Sequence, residues 1–420
     1  MNKNLIRYFF SLISFYASLL NANQPKMISL EEALNLAEQN SYAIAVSQYQ
    51  ALAEKKGILI ARAGYFPVVN FEMIDSWGFS GSSGWIGVEG LMGSPYRKEL
   101  SGGLVARQVI YDFGRTEYDI KKSRYQAESA KQNTKVTAYD AKLLALVTYY
   151  DYTQYQELEN IWHELSKEAD IITKEVKKFV NTGQRSIVDK YLSEIQLEEA
   201  KKSAAFFAEK AKGAKRELSI IIGLNENTFH CQHLVEKTNL QKTYDLTSSP
   251  FLAKARADLK IAEATLAREK ADIMPKIVSV ASIGAMEKTH IVDKKGYSFG
   301  IGFIMPLYDL RVVGGIKKAR EVLSAKSEEV AAQVQYLEEM NAKYDTIINS
   351  SLVKLEHLNR ELALAKEGFK IAKHRYFALE GPIIDVREAF KDLAQTSIEI
   401  EDANLNLQKS RGAKNLLNGA

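Results

Sequence analysis

The stretch Tyr297-Ser298-Phe299-Gly300-Ile301-Gly302-Phe303-Ile304-Met305 places a bulky apolar side chain at every odd position. Serine and glycine fill the first three even ones. Successive side chains of an extended chain point to opposite faces, so the segment sets an aromatic and aliphatic face against a nearly bare one. Residues 68–79 repeat the pattern, with Val69, Phe71, Met73, Trp77 and Phe79 alternating with Asn70, Glu72, Ser76 and Gly78. Such alternation over about 9–11 residues marks a membrane β-strand, and a soluble sheet lying on a core has the same period. Segments 100–110 and 277–284 alternate poorly.

Each strand pair stands in a larger unit that occurs twice. Ala61-Arg62-Ala63-Gly64-Tyr65-Phe66-Pro67 closes a helical stretch and opens the first β segment, and residues 268–275, ending in Pro275, do the same later. Tyr111-Asp112 and Tyr308-Asp309 precede long helical stretches, 197 residues apart. Ile187-Val188-Asp189 and Ile383-Ile384-Asp385 follow glycine-containing breaks, 196 residues apart. The expected domains are repeats over 29–223 and 250–418, each a helix, two strands, a very long helix and a further helix, joined by a linker over 224–249.

Neither proline nor glycine occurs from 115 to 180 or from 316 to 367, which permits uninterrupted helices. In the later one Ile316, Leu323, Val330, Leu337, Tyr344 and Leu358 recur at sevens, with a companion seam through Ile348, Leu355, Leu362, Phe369 and Tyr376. The earlier one carries Leu144, Leu158, Leu165, Ile172 and Phe179 on one seam and Tyr155, Trp162 and Val176 on the other. A repeat of 3.5 residues per turn predicts supercoiled helices packed knobs-into-holes. Sixty-six such residues rise roughly 100 Å, so an elongated molecule is expected.

Composition narrows the function. Of 420 residues, 46% are hydrophobic, which excludes wholesale disorder. The 56 Lys and Arg against 52 Asp and Glu are evenly spread, which gives no footprint for nucleic acid. The single cysteine excludes an internal disulfide. Lys3 and Arg7 followed by the apolar run Tyr8 to Leu20 read as an export signal over 1–22, with an N-terminal anchor helix as the other reading. No later stretch reaches the roughly 20 apolar residues of a membrane helix. Export, aromatic-rich strands and the lack of such a helix favour membrane strands. Four strands cannot close in lipid without leaving backbone groups unpaired. Copies of the chain must therefore share a barrel, two giving eight strands and three giving twelve.

The opening Ile28-Ser29-Leu30-Glu31-Glu32-Ala33-Leu34, the motif at 61–67, Tyr111-Asp112-Phe113-Gly114-Arg115 and the two break-Ile-x-Asp elements together resemble the TolC-type outer-membrane efflux proteins. The resemblance covers essentially the whole chain after the signal. It implies a mainly α protein with membrane β-strands: a trimer whose long coiled-coil helices form an α-helical tunnel and whose four strands per chain share a transmembrane β-barrel. It also implies an exit duct of a tripartite efflux pump or a type I secretion system, in the cell outer membrane and extending into the periplasm. The implied partners are a periplasmic adaptor (membrane fusion) protein, an inner-membrane transporter, two further copies and outer-membrane lipid. No cofactor is implied. A periplasmic or surface coiled-coil scaffold is the alternative from another class.

The two hairpin breaks are the candidate sites. Asp385 and Glu388 are three apart and share a helix face. The resemblance places them at the periplasmic entrance, where three copies would make a ring that attracts cations. Asp189 is the candidate in the first hairpin. Capping competes with that role, because Ser186 with Asp189 has capping-box spacing and Asp385 suits the positive end of its helix. Arg387 departs from the apolar residue usual in the family. Gly183, Gln184 and Arg185 in one turn, and Leu379, Glu380 and Gly381 in the other, match the turns that meet the adaptor. Leu379 stands where the first turn has Gly183.

Glycines at every third position from Gly78 to Gly93 suit an extracellular loop better than collagen, since the run contains no proline. Residues 285–296 are expected to be its counterpart. His230-Cys231-Gln232-His233 lacks further ligands at structural-zinc spacing and is expected to be a loop with an incidental thiol. No phosphate loop or nucleophile elbow occurs, and no enzyme is expected.

Overall fold

The computed structural model describes residues 26–76, 99–232, 249–288 and 291–417. The expected export signal, the glycine run at 78–93, Trp77, Phe79 and His233 lie outside them. In chain order the elements are β1 (Lys26–Ile28), α1 (Leu30–Asn40), α2 (Tyr42–Arg62), β2 (Val68–Ser76), β3 (Glu99–Tyr111), α3 (Arg115–Asn181), α4 (Ile187–Ile222), β4 (Phe229–Cys231), α5 (Pro250–Ala271), β5 (Lys276–Lys288), β6 (Ile291–Ile304), α6 (Leu310–Phe377) and α7 (Ile383–Leu417). The 67 residues of α3 and 68 of α6 carry out the expectation of very long helices. Among the described residues no helix is long and apolar enough to cross a membrane.

The chain divides into two compact units. One comprises Met1–Ile44, Thr137–Leu246 and Leu337–Ala420; the other comprises Ala45–Val136 and Thr247–Tyr336.

In the first unit, α4 packs on α1 and α7. One core gathers Leu165, Ile172, Val176, Phe369, Tyr376 and Phe390, so the seams read from the heptads do bury. Leu144 is an exception and stays exposed; Leu146, Tyr149 and Tyr152 are buried in its neighbourhood instead. A second core joins Ile28, Ala33, Tyr149, Leu218, Phe229 and Cys231. Here the loop expected around Cys231 is corrected: residues 229–231 form β4, which pairs in parallel with β1, and Cys231 is buried. The Tyr149 hydroxyl lies within reach of the carbonyls of Ile28 (3.1 Å) and Gln232 (2.8 Å), which fixes the ends of that small sheet. Gly223 caps α4 in the left-handed region, where a Cβ would come within 2.9 Å of Asn40. Among the described residues no group of His, Cys, Asp and Glu could hold a metal.

The second unit holds a four-stranded antiparallel sheet in the order β2-β3-β5-β6. Residues 285–288 and 291–296, expected as loop, belong to β5 and β6 and pair with each other. Their charged residues hid the alternation, and cross-strand hydrogen bonding extends the hairpin regardless. The register sorts side chains by face. Val69, Phe71 and Met73 share a face with Leu104, Ile283, Tyr297, Phe299, Ile301 and Phe303. All of these are exposed, Phe71 by 70%, Phe299 by 71% and Tyr297 by 89%. The opposite face carries Asn70, Glu72, Val105, Arg107, Ser282, Ser298, Gly300 and Gly302.

Where strands meet helices, the repeated Tyr-Asp dipeptides act as caps. Asp112 accepts from the amide of Thr116 at 2.8 Å and of Gly114 at 3.2 Å, and Asp309 accepts from the amide of Arg311 at 2.8 Å. Each satisfies amides left free at the start of a long helix. Arg115, the first residue of α3, pairs at 2.8 Å with Asp272, which follows α5. Arg268 adds contacts to Asp272 (3.2 Å), Glu269 (2.7 Å) and Asp119 (3.5 Å).

Candidate functional site at the hairpin turns

Both long helices end in the same turn. Gly183 has φ +72 and Leu379 φ +68. The amide of Gln184 donates to the Phe179 carbonyl, and that of Glu380 to the Arg375 carbonyl, each at 2.9 Å. Gly183 donates to Val180 at 3.0 Å and Leu379 to Tyr376 at 3.1 Å. This is a Schellman closure twice over. The turns at Gly183–Arg185 and Leu379–Gly381 therefore share a backbone, although a leucine occupies the left-handed position in one of them. Gly381 is buried, while Gln184, Leu379 and Glu380 are exposed.

Each following helix has a different start. Ser186 caps α4 by accepting from the Val188 amide at 3.2 Å. Pro382 precedes α7, whose Ile383 and Val386 bury into the core. Asp385 and Glu388 are exposed. Neither pairs with another described residue. Arg387 lies one residue from Glu388 and two from Asp385, which turns it to another side of the helix; it pairs with neither. Glu388 lies beyond the first turn of α7 and Asp385 within it, so only Asp385 sits where the dipole favours an acid.

Asp189 is placed differently. It is half-buried, and its Oδ2 accepts a hydrogen bond from the hydroxyl of Tyr376 at 2.9 Å. Tyr376 is fully buried near the end of α6. The Arg185 guanidinium stacks on the Tyr376 ring, 4.3 Å from its centroid. Arg185 also donates through Nη2 to the Tyr376 carbonyl at 2.7 Å. Burial, reinforced by the Asp189 carboxylate, pushes the Tyr376 phenol above its ordinary range. One residue of the second hairpin is thus held from both sides by the first. Lys373–Glu168, at 2.5 Å, adds a further link between α6 and α3.

Asp189 and Arg185 stand out in the sequence, whereas Tyr376 does not. Its signal was a tyrosine on a heptad seam, where burial obliges the hydroxyl to find an acceptor. Chemically, the site can hold two hairpins together through one phenol and can present carboxylates to cations. Nothing in it resembles a nucleophile with its base.

Residues 245–413 match the family model "outer membrane efflux protein". No curated protein matches the chain. Several solved structures share its fold. CusC matches with TM-score 0.81 at 16% identity, over 94% of this chain and 93% of its own. The outer membrane protein VceC of Vibrio cholerae matches with 0.80 at 14%, over 93% and 96%. The CmeC outer membrane channel of Campylobacter jejuni matches with 0.79 at 13%, over 93% and 85%.

Proposed function

We propose that this chain belongs to the outer membrane efflux proteins and is one of three copies that together form a passive exit duct across the outer membrane and periplasm. The observation that carries the reading is the sheet. Its exposed face is a contiguous apolar surface far larger than single scattered residues, of the kind that lipid covers. Its edge strands β2 and β6 lack partners within the described chain, and lipid tolerates no such edge. Three copies joining β6 to the next β2 close twelve strands. The energy for transport comes from an inner-membrane transporter, in a tripartite pump or type I secretion system, reached through a periplasmic adaptor. The turns at Gly183–Arg185 and Leu379–Gly381 meet that adaptor. Asp385 and Glu388 ring the periplasmic entrance and draw cations toward it.

Purified protein inserted in planar bilayers tests this reading. It should form discrete cation-preferring conductances, and adaptor cross-linking should occur from cysteines at Gln184 and Glu380. Protein that never conducts, or that cross-links only from the strand end, contradicts it.

A further inference from the structure

On the inner-facing side of the sheet, wherever its side chains are described, the wall is almost bare. One rung across the four strands reads Glu72, Gly103, Gly284 and Gly296; the next reads Asn70, Val105, Ser282 and Ser298; the next Val68, Arg107, Val280 and Gly300. At Gly103 and Gly284 the strands approach so closely that a Cβ would fall 2.3 Å and 2.6 Å from a neighbouring carbonyl oxygen. Two long charged side chains lie on this wall. Arg107 donates through Nη1 and Nη2 to the two carboxylate oxygens of Glu72, the second bond at 3.2 Å. The pair bridges the rung of Val105, which is fully buried. Two-point guanidinium–carboxylate pairing is rigid as well as strong. Lys276 has the same parity but opens β5 at the junction with the helices, four residues from the rung of Arg107.

We propose that Glu72 and Arg107 form a charge-neutral constriction on the inner wall of the barrel, a selectivity element separate from the entrance. This rests on the barrel reading given above. Three such clamps narrow the lumen by bulk while each remains neutral in itself, so the barrel passes solutes of either sign and sorts them by size. Discrimination by charge is then left to Asp385 and Glu388. Losing one partner turns the neutral clamp into a ring of three like charges.

The experiment reads the barrel directly and does not depend on whether the entrance is open. Ser282→Cys sits on the rung beside the clamp, and Ile283→Cys sits on the apolar face as its control. The protein is placed in lipid nanodiscs and treated with cationic and anionic thiosulfonates of equal size. Native Cys231 stays silent, since burial pushes its thiol up to about 12. Ser282→Cys should react and Ile283→Cys should not. At low ionic strength Glu72→Gln should shift the cationic-to-anionic rate ratio toward the anionic reagent by roughly 4-fold, and Arg107→Gln should shift it as far the other way. A ratio that is unmoved, or moved in one direction by both variants, overturns the constriction while leaving the barrel intact. Reaction at Ile283→Cys with none at Ser282→Cys overturns the barrel reading itself. Should a lone charge block assembly, the double change Glu72→Ser with Arg107→Ser serves: both rates should rise together, and rates equal to those of the natural wall overturn the proposal.

Discussion

The link between Tyr376 and Asp189 yields a quantitative prediction. Tyr376→Phe removes one hydroxyl from a fully buried ring and leaves the ring's packing with Arg185 in place. The lost bond spans 2.9 Å to a charged acceptor. A hydrogen bond to a charged group contributes about 1.5–3 kcal/mol. Asp189 is only half-buried, so water partly replaces the phenol, and the lower end, about 1.5 kcal/mol, applies. That is about a tenfold rise per copy in the population with the hairpins parted at this point. Asp189→Asn should cost less, because the amide oxygen still accepts. The double variant should then cost less than the two single costs combined, giving a coupling of about 1 kcal/mol in a double-mutant cycle. Hydrogen exchange at the last two turns of α6, read against an internal stretch such as 340–350, measures this opening. A coupling indistinguishable from zero, or equal acceleration along the whole of α6, would refute the reasoning.

Further outcomes follow from other parts of the structure. Raising the pH should loosen the same point. The Tyr376 phenol is raised in the folded state, so its contribution is complete below the ordinary value of 10.0 and is lost as pH climbs from there through the folded value; exchange at the end of α6 should accelerate above pH 10 in the natural chain and less so in Tyr376→Phe. Leu379→Gly should stabilise the second turn by about 1 kcal/mol by relieving a left-handed leucine, and Gly183→Ala should destabilise the first by a similar amount, both read by thermal unfolding. Asp385→Ala with Glu388→Ala should move the reversal potential in a salt gradient toward zero cation preference, and an unchanged potential would remove the acid ring from the account. Asp272→Ala strips Arg115 and Arg268 of a shared partner at the strand–helix junction and should lower stability by about 1 kcal/mol in a denaturant titration.

What the sequence made legible was whatever repeats locally. The absence of proline and glycine foretold α3 almost to its ends and the middle of α6, which runs on through Gly314, Gly315 and Gly368, and the alternation at 297–305 foretold the later part of β6 with its faces correctly sorted. The duplication also carried chemical content, since its Tyr-Asp markers prove to be helix caps. Features built by distant pairing left no such trace. β1 and β4 are three residues each and about 200 residues apart, too short to show a period. The ends of β5 and β6 carry charges that mask alternation, and pairing between them, with β3 on the other side of β5, keeps them extended. β3 and β5 have small residues such as Gly102, Ala106 and Ala281 on the outward face, so their pattern is faint although their placement is not. In the candidate site, Asp189 and Asp385 looked like equivalents one repeat apart. Their surroundings separate them: the first is engaged by a tyrosine from the other hairpin, and the second is exposed. The partner of Asp189 could not be found by spacing, because Tyr376 reaches it across the bundle rather than along a helix.

The central claim is that copies of this chain share one barrel in lipid, and native mass in detergent combined with membrane fractionation tests it most directly. A species of three protomers that sediments with the outer membrane and needs detergent to leave it is expected. A monomer or dimer extracted by buffer alone would contradict it, and would return the exposed aromatic face of the sheet to some protein partner instead of lipid.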